Sequence, residues 1–248
     1  MDAAGWHGKL PSLGDFASRR LEPAFIEVWD GWLAQGMLAL READAAGWLA
    51  AYLASPSWRF WLLPAVLPGP AGRQGWAGVL MPSVDRVGRY YPLTLALPLV
   101  DTPASGVQLQ ALWHWLGRLD ELARDALFDD WSAERLEAEL ARAARPEAAR
   151  VDAAAALPDL AAALPDAAAL VELPPGLDAA EVIDVQAQRA WAGRARARAW
   201  WQAVPDAAPR RLLVSHGLPA ANDFARLFGR AGGAAPTMAS HPGSGAAP

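Results

Sequence analysis

Two short apolar runs, residues 76–81 and 92–99, bracket the segment Pro82-Ser83-Val84-Asp85-Arg86-Val87-Gly88-Arg89-Tyr90-Tyr91. Runs of that length on either side of a turn-rich stretch predict two sheet strands. A third run, Trp58-Arg59-Phe60-Trp61-Leu62-Leu63, precedes them and is joined through the Pro/Gly-rich residues 64–75. The three runs predict a meander with the 82–91 loop at one of its turns. That loop carries one carboxylate and two guanidiniums within five residues. Charges so dense between buried strands either pair with each other or face a partner.

Periodicity supplies the helices. Phe25, Val28, Trp29, Trp32 and Leu33 recur at three- and four-residue spacing after Pro23, which predicts a helix with Pro23 in its first turn. A second helix is predicted from Asp44 to Ala54, with Trp48, Leu49, Tyr52 and Leu53 inward and Ser55-Pro56 as its stop. Residues 107–128 carry a long apolar stripe from Leu109 to Leu122. Ser132-Ala133-Glu134-Arg135 reads as a helix start, with Leu136 and Leu140 as inner contacts. A helix bearing Arg189, Arg194, Arg196 and Arg198 on a solvated face is predicted over 186–201. Residues 5–10 read as a first strand, 11–16 as a turn and 211–215 as a last strand. After these, Gly217-Leu218-Pro219 turns into a final helix with Phe224, Leu227 and Phe228. A seven-residue quasi-repeat over 152–172 reads as a low-complexity, partly helical connector spanning about 145–180. Residues 1–230 are thus expected to form one domain, with 231–248 a disordered tail.

Composition removes several function classes. The net charge of −5 argues against a nucleic-acid binder, which needs a basic surface. The absence of cysteine excludes disulfides, thiolate catalysis and zinc–thiolate sites. His7, His114, His216 and His241 lie far apart without ligand spacing, so no metal is expected. Ser215-His216 lacks a nucleophile elbow, and no phosphate-cradling glycine fingerprint occurs, so no cofactor is expected. The apolar runs near 60–72 and 90–100 are too short and too proline-broken to span a bilayer. No leader pattern opens the chain, so a soluble cytoplasmic protein is expected. Lys9 is the sole lysine beside 21 arginines, a bias that reads as GC-rich coding. Thirteen tryptophans are expected to be mainly structural, a minority forming an exposed patch for another protein.

Two polar turns remain as the candidate site, with Ser12 and Asp15 in one and Ser83, Asp85, Arg86 and Arg89 in the other. In the structural reading, Asp85 accepts from Arg86, Arg89 or loop N–H groups and fixes the turn. In the functional reading, Arg86 or Arg89 presents its fork to a partner's carboxylate or phosphate. The two are compatible if Asp85 holds one arginine while the other points outward. Exposed tryptophans at the loop's edge are expected to add anchor area. A small-molecule or phosphoryl-handling enzyme, with a pocket at the 82–91 loop lined by Asp15, Asp85 and Arg86, is the alternative from another class. A third is an adaptor whose charged loop only stabilises the fold.

Three phrases resemble a known family. They are Gly5-x-x-Gly8-Lys9-Leu10-Pro11 with Gly14-Asp15-Phe16, then Ser55-Pro56-x-Trp58-Arg59-Phe60, then Gly78 through Leu93. The sequence resembles the TagF family of type VI secretion-associated proteins over roughly residues 5–100, and more weakly at Trp200-Trp201 and Gly217-Leu218-Pro219. The resemblance implies an α/β fold, a three-layer sandwich whose mostly antiparallel or mixed central sheet is flanked by helices. It implies a non-enzymatic, cytoplasmic, post-translational repressor of type VI secretion. The implied partner is a forkhead-associated (FHA) domain scaffold of the apparatus, and the implied role opposes a threonine-phosphorylation pathway. Some relatives carry a fused PP2C-type phosphatase, for which this sequence has no metal-binding aspartate pattern.

Overall fold

A computed structural model describes residues 3–99, 103, 106–144, 169–173, 179–180, 182–183, 197–204 and 210–229. The predicted meander is present as β3 (Ser57–Leu62), β4 (Gly75–Met81) and β5 (Leu93–Leu99). Phe60 pairs with Gly78, and Gly78 pairs with Ala96. Beyond β5 lie β1 (Gly5–Gly8) and then the three-residue β2 (Ala17–Arg19). Beyond β3 lie β7 (Arg198–Val204), β8 (Arg211–His216) and β6 (Ala169–Glu172). The result is an eight-stranded sheet in which every strand pair is antiparallel.

Strand alternation divides the core in two. Trp58, Phe60, Trp76, Leu80, Trp201 and Leu213 join one cluster with Phe25, Trp29 and Leu33. Their neighbours Trp61, Val79, Leu95, Trp200 and Leu212 join another, with Leu112, Leu116, Leu119 and Leu136. The first cluster is closed by α1 (Pro23–Ala43), α2 (Trp48–Leu53) and α5 (Ala221–Phe228). The second is closed by α3 (Gly106–Phe128) and α4 (Ala133–Arg142). Pro23 opens α1, where its missing N–H has no helical partner to lose. Ser132 caps α4 by accepting the Arg135 N–H.

Five local readings differ from the structure. The strand β2 was not legible in Ala-Ser-Arg, whose burial pattern is half-exposed to exposed. The second helix starts at Trp48, because the Asp44 carboxylate accepts the Gly47 N–H and holds a turn there. Leu53, expected inward, is exposed. Residues 198–204 are strand, not the end of a helix: Trp200 and Trp201 are both fully buried on opposite faces, a period of two. The tail of the quasi-repeat, Ala169–Glu172, pairs with β8 as an edge strand, not as helix or connector. The rest of that repeat, the arginine-bearing residues 186–196 and the 231–248 tail lie outside the described residues.

Candidate functional site

The turns at 11–16 and 82–91 meet at one end of the sheet. Gly8 leads β1 into Lys9 with φ of 131°, where a side chain would be strained and would collide with the Pro92 carbonyl. Gly8→Ala is therefore expected to lower the melting temperature sharply in a thermal melt, more than an alanine at the open Gly31. The Arg86 N–H donates to Leu13 O at 2.9 Å, and the Arg89 guanidinium donates to Gly14 O. Gly88, at φ 80°, closes the tip, its N–H donating to Asp85 O at 3.0 Å.

Asp85 is the hub. Its Oδ2 accepts from Lys9 Nζ at 2.5 Å and from Arg89 Nε at 2.7 Å. Its Oδ1 accepts the N–H groups of Val87 at 3.1 Å and Arg89 at 2.9 Å. The Lys9 and Asp85 side chains are 3% and 0% exposed, so the pair is desolvated. Burial alone would raise the Asp85 carboxyl. The Lys9 ammonium, then the N–H and guanidinium of Arg89 and the Val87 N–H, outweigh it and hold the group below the usual carboxylate range. Beneath the pair, Ser83 Oγ donates to Lys9 O at 2.7 Å. The Ser83 N–H donates to Tyr52 Oη at 2.8 Å, and that hydroxyl donates to Ser83 O at 3.0 Å. Burial pushes the Tyr52 phenol up, so it stays a donor.

The six predicted residues thus separate. Ser83 and Asp85 are buried framework. Ser12 turns inward, its Oγ donating to Trp131 O at 2.6 Å between α3 and α4. Asp15 is exposed, accepts the Phe16 N–H and lies 3.6 Å from the half-exposed Arg89. Asp85 holds Arg89, not Arg86. The Arg86 side chain is exposed and has no ion pair or side-chain hydrogen bond among the described residues. The expected tryptophan rim is absent among the described residues, where every tryptophan is buried or half-buried. Phe16, 46% exposed, and Val87, 64% exposed, take its place. Lys9 was missed. Its signal was its solitude: where arginine fills every other cationic position, a compact ammonium marks a spot too small for a guanidinium.

All five backbone N–H groups from Asp85 to Arg89 are used internally, by Arg89 O, Leu13 O, Asp85 O and the Asp85 carboxylate. The tip therefore offers no N–H cradle to an anion. Among the described residues no group of His, Asp and Glu is placed to hold a metal ion. Ser215 Oγ donates to Gly217 O and not to a histidine.

A second buried carboxylate sits between α3 and the sheet. Asp120 accepts from Ser57 Oγ and lies 3.0 Å from Arg124 and 3.8 Å from Arg59. Burial raises its pKa against those partners. The two carboxylates therefore have opposite pH signatures. The stabilisation from Asp85, whose folded pKa is depressed, is full above its unfolded value near ~3.9 and is lost as pH falls through the folded value. For Asp120 the folded pKa is raised, so its contribution is full below ~3.9 and is lost as pH rises through the folded value. Denaturant titrations across the acid range are expected to show the Asp85→Asn deficit shrinking toward low pH. Asp120→Asn is expected to gain on the wild type as pH rises.

The sequence profile of the TagF N-terminal domain, described as type VI secretion system-associated, matches residues 5–143. The chain belongs to the TagF family. The TagF profile takes in both turns, Lys9, Asp85 and Ser132, so the whole candidate site lies inside the matched segment. The crystal structure of PA0076 from Pseudomonas aeruginosa PAO1 at 2.05 Å resolution is similar, with 32% sequence identity and a TM-score of 0.66. The similarity covers 97% of this chain and 100% of that one, so the fold beyond the N-terminal TagF segment is shared as well. No curated protein matches. Membership associates the chain with type VI secretion. Among the described residues no helix is long and apolar enough to cross a membrane.

Proposed function

We propose that this chain is a cytoplasmic, non-enzymatic repressor of type VI secretion that acts post-translationally by binding an FHA-domain scaffold of the apparatus. The observation that carries the reading is the division of labour at the loop. Asp85 and Asp15 balance Lys9 and Arg89, with the Lys9–Asp85 pair desolvated and Arg89 half-exposed, and Arg86 is left facing solvent without a partner among the described residues. A rigid loop that presents one free guanidinium suits recognition, because little ordering entropy remains to be lost on binding. Enclosure of the Asp85 side chain favours this reading over an enzyme with a pocket lined by Asp15, Asp85 and Arg86. The split of the core supports taking the molecule as three layers, with α1, α2 and α5 on one side of the sheet and α3 and α4 on the other.

Capture of purified scaffold by the immobilised chain, paired with a secretion assay in cells carrying extra copies, tests the proposal. Direct capture and reduced secretion are expected. Absence of capture together with unchanged secretion would reject it.

A further inference from the structure

Resting on that reading, we infer that the surface around Arg86 receives a carboxylate of the scaffold flanked by apolar side chains, and not a phosphate. Three observations on the loop lead there. First, the loop's backbone donors from Asp85 to Arg89 are all spent internally. A dianionic phosphate with three acceptor oxygens is ordinarily met by several donors, from a nest of N–H groups or a cluster of arginines. Arg86 offers a single planar fork, which satisfies the two oxygens of a carboxylate and leaves the third oxygen of a phosphate unmet by the loop.

Second, the two turns with the adjoining Lys9 set three cations, Lys9, Arg86 and Arg89, against Asp15 and Asp85, a surplus of one positive charge on a chain of net charge −5. The surplus falls at Arg86, because Asp85 engages the other two cations and Asp15 adds to Arg89. A single acidic side chain complements it.

Third, exposed apolar side chains sit on the loop and on the segments bonded to it. Val87, beside it in the chain, is 64% exposed. Phe16 is exposed on the turn that accepts the Arg86 N–H. Phe128, 82% exposed, ends α3 three residues before Trp131, whose carbonyl accepts from Ser12 of that same turn. Three connections thus bring exposed apolar groups to one end of the sheet. Such anchors around a desolvated charge pair are the usual make-up of an interface centre.

Calorimetric titration of the full chain with purified scaffold, unphosphorylated and threonine-phosphorylated, tests this. The unphosphorylated scaffold is expected to bind as well as the phosphorylated one, and millimolar inorganic phosphate is expected to leave binding intact. Phe128→Ser and Val87→Ser are expected to weaken affinity by about tenfold or more with unchanged melting temperature. Leu38→Ser, at an exposed apolar position on α1, is expected to bind as wild type. Displacement by inorganic phosphate, or binding only by the phosphorylated scaffold, would overturn the carboxylate assignment. Wild-type affinity in both Phe128→Ser and Val87→Ser would overturn the apolar flank. Failure of the unaltered chain to bind either form defeats the proposed function itself, a result distinct from the others.

Discussion

Lys9→Met is expected to remove roughly 3 kcal/mol of folding stability, the low end of the range for breaking a buried ion pair from one side. Methionine keeps the volume and the apolar stem, so the loss reports the ammonium. What it leaves behind is the enclosed Asp85 carboxylate, still bonded to Arg89 and to two N–H groups but without its closest cation. Those surviving bonds keep the cost at the low end. The Ser83 hydroxyl continues to donate to the Lys9 backbone carbonyl, which the substitution does not touch. For a chain of this length the expected fall in melting temperature is about 6–12 °C. Lys9→Arg is expected to recover only part of it. A guanidinium is larger than an ammonium, and Lys9 Nζ is confined between Asp85 and the Phe16 ring, whose centroid lies 4.5 Å away. Circular dichroism melts of the two variants check both values. Full recovery in Lys9→Arg would mean that charge alone, not shape, is being read at this position.

Trp201→Ala is expected to cost about 3–5 kcal/mol, a large share of the stability of a single domain. The ring packs against Phe60 at 5.2 Å, Trp32 at 5.5 Å and Trp29 at 6.1 Å between centroids. Its neighbours come from β3 and α1, so deletion opens a void where strand and helix meet. Trp201→Phe is the informative contrast. The Trp201 Nε1 is buried without a hydrogen-bond partner among the described residues. Phenylalanine removes that unpaired N–H while keeping most of the aromatic area, so its cost is expected to stay below about 1.5 kcal/mol. Guanidinium titrations of the two variants measure the difference. Equal losses would mean that Trp201 is not packed as described.

How far the residues alone reveal this molecule depends on how local each signal is. The meander was legible because β3, β4 and β5 are consecutive both in the chain and in the sheet. The helices α1, α3 and α4 were legible because each buries one stripe at helical spacing, and α4 announces itself with a serine cap. By contrast, β7 enters the sheet beside β3 from about 140 residues away, and its Trp-Trp pair fits either period until both faces are known to be covered. β6 owes its strand state to pairing with β8, not to its own Ala-Leu-Val-Glu. At the site, the local partners of Asp85 were foreseeable, because Arg89 and the Val87 N–H lie within four residues. Lys9, 76 residues away in sequence, was not. Separation in sequence likewise explains why Ser12 reads as part of a surface: nothing near it in the chain hints at Trp131, 119 residues away.

Titration of the purified FHA-domain scaffold into the wild-type chain and into Arg86→Ala tests the account most directly. The side chain is exposed and has no partner among the described residues, so the variant is expected to melt with the wild type. It is also expected to bind about tenfold or more weakly. A folded Arg86→Ala chain that binds the scaffold with undiminished affinity would contradict the claim that this loop is braced from within so as to present Arg86.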